Sequence, residues 1–174
     1  MKKKKENNIF FLVFGLVLSA IVSDLIFKPG AEPGAEPGTQ TGFLPRGIRN
    51  NNPGNIKFNS ANNWLGKLTG SEKKDPTFEE FNQMKYGIRA ALKLLNNYFY
   101  DKNKRTITDI IKTWSSGKDS YINFVSNRTG IPKNEYLMNN DLIAIAEAIF
   151  YYENGGQFIT FNEINDVKQE FNII

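Results

Sequence analysis

The sequence predicts an α+β fold, predominantly helical, behind an N-terminal transmembrane helix. Three observations carry this reading. Apolar residues recur at helical spacing in several segments between residues 86 and 152. Residues 43–82 instead mix short apolar pieces with dense turn formers, the texture of loops and short strands. Residues 9–27 are almost wholly apolar.

Taken in order, residues 1–8 form a basic segment with Lys2, Lys3, Lys4 and Lys5. The apolar run 9–27 would span roughly 28 Å as a helix, close to the hydrocarbon thickness of a bilayer. Lysines ahead of it place the N-terminus inside and the rest of the chain across the membrane. Asp24 lies near the far end, where it reaches the interface. The competing reading is a cleaved signal peptide cut near Ala20; the continuation through Leu25, Ile26 and Phe27 favours the anchor. Residues 28–42 repeat the unit GAEP and form a Pro/Gly-rich tether that cannot bury a core. Residues 43–174 are then the folded domain, large enough for a hydrophobic core without disulfides.

Charge and composition narrow the chemistry. The formal net charge is +4. Removing the five lysines and two acids of residues 1–28 from the totals of 22 and 18 leaves +1 for residues 29–174. The basic balance belongs to the membrane, and nothing marks a nucleic-acid partner. There is no Cys and no His. That excludes thiol nucleophiles, Ser-His-Asp triads and Cys/His zinc sites, and argues against catalytic zinc. No metal and no cofactor are expected, and the proton carriers left are carboxylates, Lys and Tyr.

Within the domain, the period predicts helices over 86–100, 106–114, 120–129 and 140–152. Thr106 or Thr108 is placed to cap the second, and Gly130 stops the third. Asn139 or Asn140 caps the fourth, Asp141 sits in its first turn, and Gly155-Gly156 ends it. Residues 157–174 fit either a short strand or a terminal helix.

The fourth helix carries two carboxylates. At about 100° per residue with Ile149 at zero, Leu142, Ala146 and Ile145 form a buried stripe. Glu153 falls within it, near 40°, and Glu147 faces away, near 160°. An acid ending an apolar stripe is desolvated, and the negative end of the helix dipole disfavours its ionisation further. Both effects keep a proton on it, as a general acid requires. The plain alternative is a solvated side chain in a fraying last turn. Glu79 and Glu80, in DPTFEEF, read as exposed charges between the buried rings of Phe78 and Phe81.

Several motifs form one set: RGIRNNNPGNIKF (46–58), Trp64-Leu65-Gly66, DPTFEEF (75–81), YGIRAALKLLNNY (86–98) and AIAEAIFYYENGG (144–156). Together they resemble a family of phage virion-associated peptidoglycan hydrolases, lysozyme-like lytic transglycosylases, over roughly residues 43–156. In related glucosaminidases and lysozyme-like enzymes the Glu-bearing helix precedes the amide-rich loop. Here it follows, which implies a circular permutation.

The resemblance implies a lysozyme-like domain that cleaves peptidoglycan glycan strands, with Glu153 as general acid. It implies that Asn51, Asn52 and Asn55 line the cleft, since amides donate and accept and so suit aminosugars. The alternative is that Asn52-Pro53-Gly54 is simply a backbone turn. Trp64, Tyr86 and Tyr152 are candidates to stack on sugar faces, with core packing as the alternative. Arg49 and Arg89 read as partners for carboxylates or backbone. The chain would then be a single-pass protein of a virion membrane, beside other virion proteins, opening the wall at entry. A bacterial inner membrane facing the periplasm fits equally. A non-catalytic structural or wall-binding protein is the rival.

Overall fold

The computed structural model describes residues 44–173. The anchor 9–27 and tether 28–42 lie outside these residues. No helix among the described residues is long and apolar enough to cross a membrane.

The described residues are predominantly helical. A single helical turn, α1 (Arg46–Arg49), opens them. The main helices are α2 (Met84–Asn96), α3 (Ile107–Trp114), α4 (Asp119–Thr129), α5 (Asp141–Asn154) and α6 (Phe161–Glu170). A 3-10 turn covers Gly70–Glu72, and a wide π-turn, Asn97–Asp101, extends α2. The fold is built around α5, which packs against α1, α2, α4 and α6. Leu142, Ile143, Ile145, Ala146, Ala148, Ile149 and Phe150 are all buried, so α5 is enclosed more completely than a one-sided stripe implies.

Helix ends follow local chemistry with two adjustments. Thr106, not Thr108, caps α3 by accepting from Asp109 N at 3.1 Å, while the Thr108 hydroxyl bonds Lys133 O. Neither Asn139 nor Asn140 caps α5 with its side chain. Asp141 instead reaches back and accepts from Met138 N at 2.7 Å. Gly130 and Gly155 close α4 and α5 in the left-handed conformation, which costs glycine least. The tail is a helix: Thr160 and Glu163 form a reciprocal capping box at the start of α6, whose Ile164 and Val167 enter the core.

Among the described residues the expected β component is reduced to two isolated antiparallel bridges, Lys57–Phe78 and Lys67–Phe81. The pairing starts well, with Phe58 N to Thr77 O and Glu79 N to Ile56 O both at 2.8 Å. It stops because the chain turns at once on either side. Asn55 has a positive φ of 47°, and Asn59 accepts from Ala61 N to begin the next turn.

The Asn-rich stretch is what braces this strip. Asn52 is fully buried. Its amide nitrogen donates to Ile56 O and Glu79 O at 3.0 and 2.9 Å, and its oxygen accepts from Ile56 N at 2.9 Å. One side chain thus supplies bonds that a neighbouring strand would supply. Asn51, at φ 50°, donates to Phe81 O, and Asn50 donates to Asp75. Gly87 lets α2 approach this loop: a Cβ there would stand 1.9 Å from Asn51 O.

Glu79 corrects an expectation. It is fully buried, not exposed, and pairs with Lys67 at 3.1 Å. The alternation of this strip turns Glu79 inward with Phe81, while Phe78 is only half-buried beneath Arg46. The Glu79 carboxylate tolerates the interior because Lys67 Nζ is buried beside it and Asn59 N donates to the same oxygen.

Candidate active site

Glu153 sits in the last turn of α5 and is half-buried. Three neutral donors surround its carboxylate. Asn55 Nδ2 donates to Oε2 at 3.1 Å, and the Tyr121 hydroxyl donates to Oε1 at 3.0 Å. The Trp114 indole N–H is the third. No cation among the described residues pairs with Glu153. Burial raises its pKa above the ordinary carboxyl value, and the three donors only partly offset that rise. Glu147, on the far side of α5, is neutralised by Arg128 at 2.6 Å.

Each donor arrives from a different element. Asn55 comes from the turn after α1, Trp114 ends α3, and Tyr121 lies in the first turns of α4. The next residue of α5 locks the loop in place: Asn154 Nδ2 donates to Pro53 O at 2.7 Å and to Phe150 O at 2.8 Å. Gly54 leaves room for the indole, since a Cβ there would stand 2.7 Å from the Trp114 ring. Tyr121 is also stacked on Tyr152, with ring centroids 3.8 Å apart. Burial first, and then the Glu153 carboxylate, push the Tyr121 hydroxyl well above the usual phenol range, so it remains a donor.

The site residues expected from sequence separate into groups. Asn55 touches Glu153, and Tyr152 reaches it through Tyr121. Asn51 and Asn52 spend their amides on backbone of the 56–81 strip. Trp64 lines a different pocket, with Arg89 and Phe171, and Tyr86 packs against Phe171 at 6.0 Å. The sequence does not single out Tyr121 or Trp114 as site residues. A signal existed, since a buried aromatic with an O–H or N–H needs a polar partner.

The site is a protonatable carboxyl whose anion would meet donors already in place. That arrangement can hold a proton, release it, and stabilise the charge left behind.

Over 123 residues the chain is 39% identical to Protein P5 of Pseudoalteromonas phage PM2, covering 68% of this chain and 77% of that protein. The chain belongs to the family of this phage protein. No family model matches it.

Proposed function

We propose that the chain is a peptidoglycan-cleaving enzyme of the lytic transglycosylase type, with a lysozyme-like domain and Glu153 as its acid. The observation that carries the reading is the Glu153 environment: a carboxyl raised by burial, without a cationic partner among the described residues, and ringed by Asn55, Trp114 and Tyr121. In the step proposed, Glu153 gives its proton to the glycosidic oxygen between N-acetylmuramic acid and N-acetylglucosamine as the C1–O bond breaks. The carboxylate then takes the proton of the muramic 6-hydroxyl as that oxygen bonds to C1, closing an anhydro ring. The proton is regained, so no second carboxylate is needed.

The contacts of Glu79 and Glu80 support this one-carboxylate version. A hydrolytic site wants a partner carboxyl about 5–9 Å away. Glu79 is buried against Lys67, and Glu80 accepts from the backbone N–H groups of Lys74 and Asp75. Kinship with a phage protein supports a virion setting, in which a bilayer-anchored domain opens the wall during entry.

A second reading rests on the same bonds. Both oxygens of Glu153 are already engaged, a closed net that would equally tie α5 to the 50–55 loop in a wall-binding structural protein. The two separate on purified sacculi. Anhydro-muropeptides released by the parent chain, and at least about 100-fold fewer by Glu153→Gln, are expected of the enzyme. A folded chain that binds sacculi and releases nothing supports the structural reading instead.

A further inference from the structure

Arg89 belongs to the YGIR motif, and the sequence reads it as a partner for a carboxylate or for backbone. Among the described residues it forms no ion pair. Its guanidinium lies 5.3 Å from the centroid of the Phe171 ring, and its Nε is buried without a hydrogen-bond partner. It lines a pocket of about 600 Å³ between α2 and the chain after α6, together with Trp64, Lys93, Leu94, Phe171 and Asn172. None of Asn55, Trp114, Tyr121 or Glu153 lines this pocket.

Three features define what would fit. Among the described residues, the pocket's two unpartnered buried polar atoms, Arg89 Nε and Trp64 Nε1, are both donors, so an acceptor is what they lack. Lys93 stands one helical turn from Arg89 and adds a second positive charge. Asp101 also borders the pocket, but forms no ion pair with Arg89 and accepts the Asn97 amide at 2.6 Å. The remaining walls, Leu94, Phe171 and the Trp64 ring, are apolar. The size suits a ligand of a few residues. A planar guanidinium is the group best shaped to take a carboxylate.

We propose that this pocket is a second binding site that takes the free carboxylate of a short peptide, of the kind peptidoglycan stems present. The ligand assignment rests on the enzyme reading above, whereas the pocket does not depend on Glu153. The carboxylate binds Arg89 and Lys93, and the peptide's apolar side chains lie against Leu94, Phe171 and Trp64. An enzyme built this way would hold its glycan by the stem while Glu153 acts elsewhere on the domain.

Calorimetric titration of the full chain tests this, in the Glu153→Gln background so that nothing is cleaved. The probes are a disaccharide bearing a stem tetrapeptide, the same molecule with its stem carboxylates amidated, the peptide-free disaccharide, and inorganic phosphate as competitor. The free-acid stem is expected to bind roughly tenfold to a hundredfold tighter than the amidated one. Arg89→Met should abolish that preference, and Arg89→Lys should restore part of it. Trp64→Phe, which keeps an aromatic ring of smaller size and removes the N–H, should weaken binding of the free-acid stem. Unfolding midpoints show whether each variant is folded. Equal binding of acid and amide, no binding of either, a preference that survives Arg89→Met, or phosphate competing as well as the peptide would each overturn the assignment. Sacculus cleavage by the parent chain is read separately. Cleavage without stem preference removes the pocket and leaves the enzyme; stem preference without cleavage removes the enzyme and leaves the pocket.

Discussion

Asn55 Nδ2 donates to Glu153 Oε2 at 3.1 Å and to the Glu153 carbonyl at 3.3 Å, joining positions 98 residues apart. The bond makes the amide-rich turn part of the acid's surroundings. It also places an uncharged donor where a cation would have pulled the carboxyl's pKa down.

Replacing Asn55 therefore acts twice. Asn55→Ala removes a bond to an ionisable group, about 1.5–3 kcal/mol. It also removes the short amide that lets Asn tolerate the left-handed region, about 1 kcal/mol more. Asn55→Gly should suffer only the first loss. Urea unfolding at neutral pH should rank parent, Gly, Ala in falling stability; Ala equal to Gly would mean the turn relaxes.

Tyr121→Phe keeps the stack on Tyr152 and removes the hydroxyl that holds Oε1. That hydroxyl favours the charged form of Glu153, so its loss raises the carboxyl's pKa further. The alkaline limb of sacculus cleavage should move to higher pH, with a stability loss of about 1 kcal/mol. A limb that stays put, or moves toward acid, would remove Tyr121 from the acid's control.

The raised pKa of Glu153 has a stability consequence with a definite sign. The folded chain holds this proton more tightly than the unfolded chain, so ionisation works against folding. The contribution is fully present below the ordinary carboxyl value. It is lost as pH rises through the folded pKa. Glu153→Gln cannot ionise. Its melting temperature relative to the parent should therefore climb between acidic and neutral pH. Melting curves at several pH values check this, and a constant difference would contradict the buried-acid description.

Lys67 and Glu79 form a pair whose side chains are 6% and 0% exposed. Lys67→Met strands a buried carboxylate and should cost about 3–5 kcal/mol in chemical denaturation. Lys67→Met combined with Glu79→Gln should recover most of that loss, because neither residue then carries an unpaired charge. If the double variant is no better than the single one, the pair is not the stabilising unit.

The helices were legible because a 3.6-residue period survives in any sequence that buries one face. The stripes of α2 and α3, the glycine stops of α4 and α5, and the inward direction of Glu153 needed no tertiary information. The bounds shifted where local chemistry competed: α2 begins at Met84 and widens into a π-turn, and α5 starts with no side-chain cap from Asn140 while Asp141 turns back to Met138 N.

The front lobe was less legible, because amides there do work that alternation cannot report. Asn52 replaces a strand's hydrogen bonds from the side, and Glu79 is drawn inside by Lys67, twelve residues earlier. The sequence by itself determined which acid ends a buried stripe and which stretch is dense in amides. Only the tertiary structure decided that Asn55, Trp114 and Tyr121 converge on that acid, and that Arg89 faces a pocket without an ion-pair partner among the described residues. Helical period is a property of neighbours along the chain, whereas desolvation and hydrogen-bond partners are set by segments that meet only after folding.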